Sequence, residues 1–156
     1  MCGIFLYCGK PCDVNELQEG FMRSRHRGPD NTQFVVYYIN DMMIAFGFHR
    51  LSINGLNAKA HQPMYVGHTI SLCNGEIWNA HDLHRACHIE NESGSDCECL
   101  PLYYRYMVDQ SSNTMDDPFE TLCNIVDGVF GMVLFDRLTN KIYVGRDKIG
   151  IRSLYY

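Results

Sequence analysis

A surplus of positive charge is what this 156-residue sequence most plainly lacks: 13 Lys and Arg stand against 18 Asp and Glu, for a formal net charge of −5. Without a basic surplus there is no electrostatic footprint for nucleic acid, and no such partner is expected. Long apolar runs are missing too. No stretch approaches the roughly 20 residues that cross a bilayer, and no basic segment leads into an apolar one at the N-terminus. No membrane partner is therefore expected, and the cytoplasm is the expected location. There are few prolines (5) and a single tryptophan, and no repeat or low-complexity linker interrupts the chain. One domain over residues 1–156 is the expectation, long enough for a real core. C-x-x-C pairs are absent although there are 8 cysteines. That argues against a zinc ribbon, and without an export signal the thiols are expected to be reduced.

What is there reads as alternating strands and helices. "IFLYCG" predicts a buried strand ended by Gly9 and Pro11. Asp13, with Glu16 three residues on, predicts a helix from about Val14 to Ser24, closed by Gly28-Pro29. "QFVVYYI" and "DMMIAFGFHRLSI" predict a hairpin about Asn40-Asp41. "HTISLCNGEIWN" predicts a strand through Ile70 and Leu72, with the Asn74-Gly75 pair as a turn before Ile77 and Trp78. "AHDLHRACHI" and "CECLPLYYRYMVDQ" predict helices, the second with Pro101 in its first turn. "GVFGMVLFD" and "IYVGRD" predict another antiparallel pair, and "SLYY" a final strand. About seven strands joined as hairpins, with helices grouped between them, make the class α+β.

Several residues invite chemistry. Cys2 follows the initiator methionine, so removal of Met1 would give a thiol with its own α-amine as base, the amine having a pKa of about 7.7–8.0. A small buried hydrophobe is the plainer account of such a cysteine. Asn74 and Gly75 have the donors of an oxyanion hole, although their spacing alone favours a hairpin turn. Arg50 ends an apolar strand and suits a substrate α-carboxylate. Asp96, in a polar loop, suits a substrate ammonium, the plainer account being a helix N-cap. His81, His84 and His88 share a helical face and have zinc-ligand spacing, but a solvated surface is the commoner outcome. No metal site is expected.

"MCGIF", "RHRGPD", "HRLSI", "QP", "NGEIWN", "SDCE", "DGVFGMVLFD" and "GRDKIGIRSLYY" occur in that order along the whole chain. Together they resemble the class II glutamine amidotransferase domain of glutamine-hydrolysing asparagine synthetases. "RGPD", "NGEIWN" and the ending favour that branch over the domains of purine or glucosamine synthesis. The resemblance implies an N-terminal-nucleophile hydrolase αββα sandwich, two antiparallel sheets between helical layers. It implies Cys2 as nucleophile, Asn74 and Gly75 as oxyanion hole, and Arg50 on the glutamine α-carboxylate. It implies Asp96, helped by Glu76 and Gly75, on the α-amino group, with Leu51 and Ile53 lining the pocket. The implied reaction takes L-glutamine to glutamate and ammonia through a Cys2 thioester, with no metal or organic cofactor.

The family continues into further strands and an ATP- and Mg-using synthetase domain, so the sandwich is expected to be incomplete at its C-terminus. No "SGGxDS"-type loop occurs in the sequence, and full asparagine synthesis is not expected of this chain alone. A separate ATP-dependent synthetase chain, or self-association through the sheet edge left beside "SLYY", are the expected partners. The rival reading is a catalytically silent or regulatory glutamine-binding homologue.

Overall fold

The computed structural model describes residues 1–110 and 117–156. Among the described residues, seven strands form two antiparallel sheets. The first has the order β1-β3-β2, with β1 at Gly3–Gly9, β2 at Asn31–Ile39 and β3 at Met42–Arg50. The second runs β4 (Met64–Val66), β5 (Thr69–Ile77), β6 (Gly128–Asp136) and β7 (Lys141–Arg146). The β2–β3 hairpin turns at Asn40-Asp41 as its sequence predicts, with Asn40 in the left-handed region at φ 52°.

Strand periodicity of two sorts the side chains into layers. Ile44, Phe46 and Phe48 of β3, Ile70 and Leu72 of β5, and Val133 and Phe135 of β6 are buried between the sheets. Cys2, Ile4 and Leu6 pack against the same slab. The Phe46 and Phe135 rings bridge the two sheets with centroids 6.0 Å apart. The alternate residues of the second sheet, including Cys73, Ile77, Met132 and Leu134, face a second core built with α2 (Ala80–Cys87), α3 (Cys99–Gln110) and α4 (Pro118–Ile125). On the outer face of the first sheet lies α1 (Val14–Met22), whose Phe21 stacks on His49 at 3.9 Å between centroids. Helix, sheet, sheet and helices therefore form the expected αββα sandwich.

Local chemistry explains the helix ends. Asp13 caps α1 by accepting the Asn15 N–H at 2.8 Å, and α1 closes two residues earlier than its sequence predicts, passing into a 3-10 turn at Arg25–Arg27. Asp117 caps α4 through the Phe119 and Glu120 amides, with Pro118 at the first helical position, where its missing N–H costs nothing. Pro101 sits in the first turn of α3, as expected.

Two expectations are corrected. Asn74-Gly75 is no turn: β5 runs unbroken through both, paired with β6 from Thr69↔Asp136 to Ile77↔Gly128. Nine residues of continuous pairing outweigh the local Asn-Gly preference. "SLYY" forms no strand, and β7 is the edge of that sheet; the chain after Arg146 instead winds around the Asp147 carboxylate. That carboxylate accepts the backbone N–H groups of Phe130, Gly150, Ile151 and Arg152.

Truncation of Phe46 opens a cavity at the centre of the slab. Phe46→Ala is expected to lower unfolding free energy by about 3–5 kcal/mol in urea titrations, whereas Tyr38→Ala, on an exposed ring, changes it by less than about 0.5 kcal/mol.

Candidate active site

Three of the rows that fill the slab end in a polar residue at the same end of the sandwich. Cys2 precedes Ile4 and Leu6, Arg50 follows Phe46 and Phe48, and Asn74 follows Ile70 and Leu72. All three line one cavity. Leu51, Ile53, Gly75, Glu76 and Asp96 line it as well, so every residue singled out for this site in the sequence is brought to it.

Cys2 is seated by Leu51. The Leu51 N–H donates to Cys2 Sγ at 3.3 Å, and the thiol reaches the Leu51 carbonyl at 3.6 Å. Burial pushes the Cys2 thiol up, and the Leu51 N–H, which favours the thiolate, does not offset it. Met1 lies half-exposed over the same cavity.

Arg50 is 4% exposed. Its Nη1 donates to the Asn57 carbonyl at 3.1 Å, and its Nη2 donates to the carbonyls of Asn54 and Gly55. Among the described residues no carboxylate pairs with it. A buried cation held in place by neutral carbonyls lacks a counter-ion, which an anionic ligand would supply.

Asn74 is 7% exposed, and its carboxamide makes no hydrogen bond among the described residues. Gly75 contributes through its backbone. Opposite it, Phe130 directs both N–H and C=O to Asp147, so the Gly75–Phe130 pair is not hydrogen-bonded. Two residues to either side, the Cys73 N–H goes to Gln62 Oε1 at 2.6 Å and the Ile77 N–H to Asp96 Oδ2 at 2.7 Å. Strand alternation aims the Gly75 N–H along that same open edge, between the two anchors. A Cβ at Gly75 would lie 2.5 Å from the Val129 carbonyl and 2.6 Å from Phe130 Cβ, so no other residue fits without opening β5 from β6.

Asp96 is half-buried and opens the 3-10 turn Asp96–Glu98. The capping role falls to Ser95, whose Oγ accepts the Cys97 N–H, which leaves the Asp96 carboxylate for the strand and the cavity. Glu76 is exposed at the rim, and Ile53 is 73% exposed. The histidine face does not assemble: His84 is buried, His81 and His88 are exposed. Among the described residues no group of three or more His, Cys, Asp or Glu is placed to hold a metal.

Residues 1–156 match the glutamine amidotransferase domain family over their full length. The chain belongs to that family. A probable asparagine synthetase (glutamine-hydrolyzing) of Acanthamoeba polyphaga mimivirus is 35% identical over 161 residues, covering 100% of this chain and 27% of the relative. The human asparagine synthetase (glutamine-hydrolyzing) is 34% identical over 161 residues, covering 99% of this chain and 26% of the relative. A putative asparagine synthetase (glutamine-hydrolyzing) of Methanocaldococcus jannaschii is 28% identical, covering 100% and 32%. This amidotransferase domain thus spans about a quarter to a third of the length of the curated relatives it matches.

Sequence reasoning missed the supports of the site. In "RHRGPD", Arg27 Nε donates to the Cys2 carbonyl at 3.1 Å, while Asp30 accepts the Ser52 N–H and donates its own N–H to the Arg50 carbonyl. Gly28 passes so close to β3 that a Cβ would lie 2.3 Å from the His49 carbonyl oxygen. Gln62 of "QP" takes the place of a neighbouring strand, bonding both the N–H and the C=O of Cys73. The motifs were visible, but their partners lie 11 to 49 positions away.

Because its thiol is raised, Cys2 in the chain that retains Met1 is expected to alkylate slowly at neutral pH. Its iodoacetamide rate is expected to titrate above the pKa of a free cysteine, about 8.5, as followed by peptide mass spectrometry. Asp147 gives a stability test. Burial alone raises its carboxyl, but the four backbone donors together hold it below the usual value. The stability it adds is therefore full above about pH 4 and is lost as pH falls through the lowered native value. The deficit of Asp147→Asn in urea is expected to shrink over that acid range.

Proposed function

We propose that this chain hydrolyses L-glutamine to glutamate and ammonia, with Cys2 as the nucleophile once Met1 is removed. The observation that carries the reading is the convergence, at one end of the inter-sheet slab, of the Cys2 thiol, the uncompensated Arg50 cation and the free donors of Asn74 and Gly75. The names of the relatives, glutamine-hydrolyzing asparagine synthetases, describe the same chemistry.

In this reading Arg50 holds the glutamine α-carboxylate as a charge-assisted pair. Asp96, with the exposed Glu76 and the Gly75 backbone, holds the α-ammonium, and Leu51 and Ile53 flank the aliphatic chain. Loss of Met1 turns the Cys2 nitrogen into an amine that is partly neutral near pH 7. The amine takes the thiol proton, directly or through water, and the thiolate attacks the side-chain carbonyl carbon. The Asn74 carboxamide and the Gly75 N–H stabilise the oxyanion. The Cys2 α-ammonium, carrying the proton taken from the thiol, protonates the departing nitrogen, ammonia leaves, and a thioester joins Cys2 to the glutamyl group. Water then adds to the acyl carbon, the carbon–sulfur bond breaks toward Cys2, and glutamate is released.

In this reading the half-reaction uses no metal or organic cofactor; ATP and Mg belong to the capture of ammonia by a synthetase activity outside these residues. That activity is the partner this reading assigns, and the cytoplasm is the compartment it assigns, consistent with eight free thiols. The described residues contain no helix long and apolar enough to cross a membrane. A mature chain that kept Met1 would have no free Cys2 amine to act as base, and the second reading, a silent glutamine-binding homologue, would then hold.

Intact-mass measurement is expected to show a chain beginning at Cys2, and a glutamate-coupled assay to show ammonia release from glutamine. Cys2→Ala is expected to abolish that release without changing the unfolding midpoint by more than a few degrees. Arg50→Gln is expected to raise KM by about tenfold or more, as loss of a charge-assisted pair would. A Met1-free chain that binds glutamine but releases no ammonia sinks the hydrolytic reading in favour of the silent one.

A further inference from the structure

Arg152 stands at the nucleophile end of the site, where neither the sequence reading nor the mechanism above uses it. It lines the proposed glutamine cavity and also a neighbouring hollow, and both are lined by Met1, Cys2 and Asn74. Its backbone is firmly held, because the Arg152 N–H donates to Asp147 Oδ2 at 3.1 Å in a loop that gives the same carboxylate the Gly150 and Ile151 amides. Its guanidinium is not. Nη1 donates to the Met1 thioether sulfur at 2.6 Å, Nε is buried with no hydrogen-bond partner, and among the described residues no carboxylate pairs with it. A thioether is a weak acceptor, and this one departs with Met1.

The chemistry of the reaction selects the anion that replaces it. Glutamine brings a neutral carboxamide to Cys2, while its only carboxylate goes to Arg50. Hydrolysis of the thioester adds water to the acyl carbon, returns the sulfur electron pair to Cys2 and leaves a γ-carboxylic acid that ionises. Of the two ligands, substrate and product, only glutamate therefore brings a negative charge of its own to the Cys2 end of the cavity. We propose that Arg152, released by the loss of Met1, binds the γ-carboxylate of glutamate. It is then a product-binding residue that separates glutamate from glutamine by charge and makes glutamate an inhibitor of its own formation. This rests on the glutaminase reading above.

The test compares the Met1-free wild type with Arg152→Gln and Arg152→Lys, measuring KM for L-glutamine and the inhibition constant of L-glutamate. The ratio of inhibition constant to KM is expected to rise about tenfold or more in Arg152→Gln, the size of one charge-assisted hydrogen bond, and Arg152→Lys is expected to restore most of it. An unchanged ratio overturns the proposal, as does a loss shared equally by both ligands. If Arg152→Gln does not fold, calorimetry on Met1-free Cys2→Ala with Arg152 intact decides: glutamate binding at least as tightly as glutamine supports the assignment, and weaker binding overturns it. A chain that hydrolyses glutamine with the ratio unmoved loses only Arg152's role. One that binds neither ligand and releases no ammonia loses the glutaminase reading and this inference together.

Discussion

The site depends on the apolar slab between the two sheets. Phe46, Phe48, Leu72, Val133 and Phe135 keep the sheets face to face, and burial of such side chains contributes about 1.5–3 kcal/mol each. Because side chains alternate along a strand, each row that fills the slab has an end, and the end residue lines the cavity while its neighbour is enclosed by apolar side chains. Cys2, Arg50 and Asn74 occupy three such ends. Their convergence follows from the packing, since no direct bond joins the three side chains.

A position at the end of a core has electrostatic consequences. Arg50 is buried enough that its charge needs an anion, yet three backbone carbonyls hold its fork in one orientation. Cys2 is buried enough that its thiol is raised, which makes a nearby base necessary for attack at neutral pH. The Gly75 N–H is left open because strand alternation turns it away from β6, toward an edge where the flanking Cys73 and Ile77 amides are taken by Gln62 and Asp96. Asp147 acts in two places, bonding the Phe130 backbone on the side away from β5 and fixing the loop that carries Arg152.

Much of this was legible in the sequence. The alternation in "FGFHR" and "ISLCNG" marks Arg50 and Asn74 as in line with buried residues, and Cys2 is two residues from Ile4. The ordered motifs carried the family and the two-sheet sandwich. The Asn74-Gly75 turn was misjudged because the dipeptide preference is local, whereas the pairing that overrides it is made with β6, more than fifty residues later in the chain. "SLYY" was misjudged because strand propensity says nothing of a competing carboxylate. Asp147 draws the amides of Gly150, Ile151 and Arg152, which lead into that segment, into a loop.

By itself the sequence determined which residue types stand at the ends of apolar rows, because periodicity and side-chain chemistry are properties of consecutive residues. Tertiary structure alone decided which of their polar groups stay free. Whether Gly75 N–H is open, whether Asp96 caps a helix or holds a strand, and whether Arg152 has a carboxylate partner all turn on groups that folding brings from elsewhere in the chain. A hydrogen bond is made or left unmade by position, and no local pattern encodes the position of a distant partner.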